Sequence, residues 1–253
     1  MLNIAKNTFK EIVRNRFLYL ILFFAFVFIL FSLALGNLTI GESEKVIVDF
    51  GLGMIEIFWL IGVLFVGSQL LFKEIEGKTI FLILSKPIKR QDFILGKFFG
   101  FSGTIFLIIA LQALLYLAVL LFQGIDVTTL IVWSLFFTFL KLEILLAIVF
   151  FFSTFMSNIM TIMVSLMIYL ISHNFSLLLD LFYRMWDVVL VYVVRIFQTI
   201  FPPLQALNTK DIIGTFTELS TNFFLFNTFY AFAYILLILF FTVQIFSRKT
   251  FED

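Results

Sequence analysis

Apolar residues run for about twenty positions at a time, six times over, in 17–35, 50–72, 98–122, 130–152, 159–179 and 223–246. A spanning helix needs roughly 20 such residues. Backbone polar groups in lipid must be satisfied within the segment, which a helix does and an isolated strand does not. The strict alternation of an outer-membrane barrel strand is absent. The pattern therefore predicts an all-α integral membrane protein with six transmembrane helices. The first, third and sixth runs carry no charge. The second carries Glu56, the fourth Lys141 and Glu143, and the fifth the chain's one histidine, His173.

Three shorter patterns lie between and before these runs. In residues 1–16, Leu2, Ala5, Phe9, Ile12 and Val13 fall on one helical face, and Lys6, Lys10 and Arg14 on another. That is the signature of a helix lying in the interface, basic side toward anionic headgroups. The apolar run after it is longer than the 7–15 residues of a signal-peptide core, so a spanning helix is expected there. Between 180 and 222, the stretch 188–201 is too short to span and is stopped by Pro202 and Pro203. It reads as a re-entrant or interfacial segment. The third pattern is an island of charge at 73–97, which holds nine of the chain's thirty-three Asp, Glu, Lys and Arg residues.

Composition agrees with the pattern. The 253 residues are 62% hydrophobic and 13% charged, against about 25% charged in soluble domains. Mean hydropathy is +1.15. The net charge of +1 includes no basic domain, so no nucleic-acid partner is expected. With no cysteine, disulfides and thiolate metal sites are excluded. The distribution of Lys and Arg sets orientation. Twelve lie on the side of the N-terminus, the 73–97 island and the C-terminus, and four (Lys45, Arg184, Arg195, Lys210) on the other. Both termini are therefore expected in the cytoplasm, in a multi-pass protein of the plasma (inner) membrane forming one transmembrane domain, 1–253.

The island contains the tripeptide Gly77-Lys78-Thr79. A phosphate-binding loop of the form G-x-x-x-x-G-K-[ST] would need glycine at 72, where the chain has Phe72, and a strand before it. No nucleotide site is expected here, and no cofactor is expected on this chain. Thr79 can instead cap a short helix through Ile80–Leu84 that Pro87 ends. A second short helix then feeds the third span. An apolar patch ringed by charge suggests a docking surface.

Glu74, Glu76, Gly77, Thr79, Leu82, Leu84, Ser85, Lys86, Pro87, Arg90, Phe93, Gly96 and Lys97 together resemble the loop between the second and third spans of permease subunits of type-2 ATP-binding-cassette (ABC) exporters. Lys78 stands between Gly77 and Thr79 where that family commonly reads Gly-Thr. The interfacial N-terminal helix, six spans and a long last extracytoplasmic loop extend the resemblance over nearly the whole chain. The resemblance implies that 73–97 carries a cytoplasmic coupling helix. Glu74, Glu76, Gly77, Thr79, Leu82, Leu84, Pro87 and Arg90 would then contact a separate ATPase subunit, present in two copies, which binds the ATP and Mg. A second permease chain, identical or paralogous, would complete the pathway.

Charges inside a membrane cost about 2.5–3.5 kcal/mol each on insertion scales. Glu56, Lys141, Glu143 and His173 therefore either line a transport path or clamp helices together. Lys141 and Glu143 are two apart and do not face each other on a helix, so each needs a partner elsewhere. Met156, Met160, Met163 and Met167 form a stripe that suits adaptable packing better than a metal. Gly96 and Gly100 form G-x-x-x-G, a mark of close helix approach. No catalytic constellation is present. The expected function is transport, driven by ATP on a partner chain. The alternatives are an ion-gradient-driven transporter or channel, and a membrane anchor that moves nothing.

Overall fold

The computed structural model describes residues 1–38, 43–77, 89–185, 188–202, 204–213 and 219–249. Among them the regular structure is helical, with no strand. A short helix α1 (Leu2–Val13) leads through Arg14 and Asn15 into α2 (Arg16–Leu38). The next span begins as α3 (Ser43–Gly62), widens into a π-helical turn at Val63–Gly67, and continues as α4 (Ser68–Glu76). The long helices α5 (Arg90–Phe122) and α6 (Thr129–Ser153) follow. Then come α7 (Asn158–His173), α8 (Phe175–Arg184) and α9 (Val188–Ile200). Two single 3-10 turns, Leu204–Leu207 and Lys210–Ile212, precede the last helix α10 (Thr221–Arg248).

Helix α6 is the axis of the bundle. It is apolar on every side, and a helix of that kind has no polar face to give to water. Across its most apolar window 78% of residues are buried within the chain, against 28% for α2 and α10, whose outer faces are left to lipid. Leu140, Leu142, Ile144, Leu145, Leu146 and Phe150 are fully enclosed. On the outer half of the bundle Trp133 stacks on Phe224 of α10 at 4.6 Å. Two polar ties join α3 to α5. Trp59 donates from Nε1 to Gln112 Oε1 at 2.6 Å, and Tyr116 donates to the Val48 carbonyl at 3.1 Å. In lipid such ties matter because the apolar contacts alone gain little over lipid contacts.

Helix lengths differ from the hydropathy pattern at three places. The span expected at 50–72 is part of a 34-residue run, Ser43–Glu76, and that at 98–122 part of the 33-residue α5. At 1.5 Å per residue each is about 50 Å long, so each overruns a hydrocarbon core of about 30 Å by some 20 Å. The short second helix expected before the third span is thus the first turns of α5 itself, with Lys89 as its N-cap. The other difference is in the fifth span. The expected continuous helix 159–179 breaks after His173, and α7 and α8 meet at 65°. Asn174 leaves the helical region there (φ −119°, ψ 24°), and its side chain turns back to donate to the Leu170 carbonyl at 2.8 Å. Asparagine competes for backbone groups in this way, and it stops helices for that reason.

Helix α1 packs along the start of α5, and the G-x-x-x-G pair is why it can. A Cβ at Gly96 would lie 2.8 Å from Ile4 Cβ. One at Gly100 would lie 2.6 Å from the Ala5 carbonyl oxygen and 2.7 Å from Thr8 Cβ. The close approach expected of these glycines is therefore made to the amphipathic helix of the same chain. Thr8 and Ile12 are buried against α5, while Lys6, Lys10 and Arg14 stay exposed.

Candidate functional site

Two groups of charged residues stand out, one inside the bundle and one at the end that carries both chain termini. The inner group centres on Glu56 of α3. One of its oxygens accepts from Lys141 Nζ of α6, and from the Tyr169 hydroxyl of α7 at 2.5 Å. Its other oxygen accepts from Lys210 Nζ at 3.1 Å. The side chains of Glu56 and Lys141 are 4% and 1% exposed, and that of Lys210 is 24% exposed. A carboxylate out of water needs both a counter-charge and hydrogen bonds on its remaining lone pairs, and Glu56 has both.

The three helices and the turn that meet here explain the geometry. Glu56 and Lys141 each lie near the middle of a long helix, and both helices face the bundle interior. Tyr169 lies one turn before His173, whose ring stacks on it at 5.8 Å between centroids. Lys210 comes from the segment 204–213, which folds back into the end of the bundle. Leu204, Leu207, Thr209 and Ile213 are buried there, and the Thr209 and Ser134 hydroxyls lie 2.8 Å apart. Of the four intramembrane residues singled out by sequence, Glu56 and Lys141 are thus paired, and His173 adjoins them through Tyr169. Glu143 is apart, buried on the α5 side against Ser102, with one carboxylate oxygen lacking a hydrogen-bond partner.

Lys210 and Tyr169 were not among the expected site residues. Lys210 is a lone cation in an otherwise weakly charged stretch after two prolines, which is a usable signal. Tyr169 is one aromatic among many and carries none. The methionine stripe faces away from this group. Met160, Met163 and Met167 are each at least half exposed on the outside of α7. Among the described residues no set of three His, Asp or Glu side chains could hold a metal.

The second group surrounds the stems of the charged island. Lys97 of α5 is buried, and its ammonium lies 2.8 Å from Glu74 Oε1 of α4 and 3.9 Å from Glu11 Oε2 of α1. Seven residues earlier, Arg90 donates to the carbonyls of Phe246, Ser247 and Lys249 at 3.4, 3.1 and 2.7 Å. Lys249 in turn donates to the Thr154 carbonyl at 2.7 Å. Of the expected contact residues, Glu74 and Arg90 are therefore engaged inside the chain, while Glu76 and Gly77 are exposed at the tip of α4. Thr79, Leu82, Leu84 and Pro87 lie outside the described residues.

A bundle of long apolar helices, two of them longer than a hydrocarbon core is thick, defines a multi-pass integral membrane protein. Residues 2–249 match the model of the ABC-2 family transporter proteins, and the chain belongs to that family as a type-2 ABC permease subunit. A search of curated proteins finds no match. Membership of this family implies association with an ABC ATPase.

Proposed function

We propose that this chain is the permease of an ABC exporter, coupled to a separate ATPase through residues 74–90. The observation that carries this reading is that the two helices flanking the charged island end in exposed residues. Glu76 and Gly77 are exposed at the end of α4, and Lys89 at the start of α5, on either side of the charged island. That is where a soluble partner can push on the bundle. Family membership supports the same division of labour, with ATP and Mg on the partner and none on this chain. Two permease chains, identical or paralogous, would pair with two ATPase chains. The basic residues at this end (Lys6, Lys10, Arg14, Lys73, Lys89) put it in the cytoplasm by the positive-inside rule, with the chain in the plasma membrane.

Gentle purification from the native membrane, followed by mass spectrometry, tests the partnership. A stoichiometric chain bearing G-x-x-x-x-G-K-[ST] is expected. Recovery of no ATPase, even after mild cross-linking at residue 76, would overturn the reading. Glu76→Lys is expected to leave the bundle folded and to weaken recovery of the ATPase.

The Glu56–Lys141–Lys210 group favours a second reading, an ion-gradient-driven transporter, because such machines place ionisable groups inside the membrane. Transport that persists in ATP-depleted vesicles and stops with a protonophore would select it.

A further inference from the structure

We propose that Lys97 is a positioning residue, one that carries movement of the stems at Glu74 and Lys89 to α1 and so to the first span. This rests on the coupling role proposed above. The side chain of Lys97 is 5% exposed, two turns inside α5, and its ammonium lies 5.7 Å from the centroid of the Phe93 ring. Its nearest charge, Glu74 at 2.8 Å, is on the stem that enters the charged island, whereas Lys97 is on the stem that leaves it. The two stems are thereby tied at their base. A buried ammonium separated from its counter-charge is costly, so the stems move together or not at all.

The same ammonium faces Glu11 of α1 at 3.9 Å, a looser pair at the water's edge, since the Glu11 side chain is 59% exposed. Gly96 and Gly100, on either side of Lys97, bring the backbone of α1 against α5. Contact by glycine and attraction by charge thus act at one level of one helix. Helix α1 continues through Arg14 and Asn15 into α2, which packs along α3. A push on the stems therefore meets Lys97 first, then α1, then α2. Exposed Lys6 and Lys10 place the outer side of α1 where headgroups lie, so α1 can slide in the interface without uncovering apolar surface.

The absence of native cysteine makes the test direct. Spin labels are placed pairwise on Lys89→Cys and Ser157→Cys, and on Lys6→Cys and Ser157→Cys, in the complex with its ATPase. Distances are read before and after trapping with ATP, Mg and vanadate. In the parent chain both distances are expected to shift. Lys97→Met is expected to keep the 89–157 shift and lose the 6–157 shift. Glu74→Gln, which keeps the shape of the site, is expected to do the same and guards against a folding defect in the first variant. A residue that only stabilises the fold would lower the thermal midpoint and leave both shifts in place. A 6–157 shift that is absent from the parent chain, or that survives both substitutions, overturns the proposal. If instead the 89–157 distance does not move in the parent chain, the coupling role itself fails and this proposal fails with it.

Discussion

Arg90 and Lys249 are joined by a hydrogen bond of 2.7 Å from the Arg90 guanidinium to the Lys249 carbonyl, across 159 residues of chain. The same guanidinium reaches the carbonyls of Phe246 and Ser247, so the first residue of α5 closes the C-terminal end of α10. Helix ends leave four carbonyls without partners and carry partial negative charge, and a planar cation with several donors answers both. One turn on, Phe93 stacks on Phe246 at 5.8 Å, and both rings are buried.

Arg90→Ala is therefore expected to destabilise the docking of α10 by about 1–2 kcal/mol, seen as a lower thermal midpoint in detergent. Arg90→Lys should recover part of the loss, because one ammonium replaces one charge but not the fork of donors. If Arg90→Ala melts with the parent chain, the joint contributes nothing. This also makes Glu76 a cleaner probe of the ATPase contact than Arg90, since a charge reversal at Arg90 changes the bundle as well.

Lys141 and Glu56 give the second prediction. Removing one partner of a buried pair leaves an uncompensated charge and costs about 3–5 kcal/mol. Lys141→Met is expected to lower the thermal midpoint sharply even though Lys210 remains. The double variant Glu56→Gln, Lys141→Met should recover most of that loss, because the charges leave together. Lys210 is partly exposed, so Lys210→Ala should cost about 1 kcal/mol or less. A double variant no better than the single one would show that the pair is not the source of the effect.

Much of this architecture is legible in the sequence, and what is not has identifiable physical reasons. Runs of apolar residues report the part of a helix that lies in hydrocarbon. They are silent on Ser43–Val48 and Arg90–Lys97, where charged side chains continue the same helix into water. The break at Asn174 is hidden because one polar residue between apolar neighbours barely changes a window average. The small residues Gly96 and Gly100 announce close approach, but nothing in their spacing says that the partner is α1, more than ninety residues upstream. The same holds for Glu56 and Lys141, each legible as a charge that needs a partner. The pairing itself is a property of the bundle. Lys210, which completes it, stands out in the sequence as a lone cation after two prolines, but nothing there names Glu56 as its partner.

Glu143 is buried beside Ser102 with one oxygen unpartnered. An unsatisfied buried polar atom costs about 1–3 kcal/mol. Glu143→Met keeps a side chain of similar length and removes the unpartnered oxygen. The thermal midpoint is expected to rise. A fall would mean that the carboxylate has a stabilising partner in the membrane, and Glu143 would then belong with the clamp at Glu56.

Gly100 gives the last prediction, because the atom it meets cannot move aside. A Cβ there would stand 2.6 Å from the Ala5 carbonyl oxygen, which is backbone within a helix. Gly100→Val must therefore push α1 away from α5, at a cost of about 1–3 kcal/mol. Ile12, 1% exposed, reports the result. In a chain with no other cysteine, Ile12→Cys is expected to resist a membrane-impermeant maleimide until Gly100→Val is added, and then to label several-fold faster. Gly53→Val is the control, since nothing lies within 4 Å of a Cβ at that position. Equal labelling in the presence of either valine would mean that α1 is not held by the glycine contact.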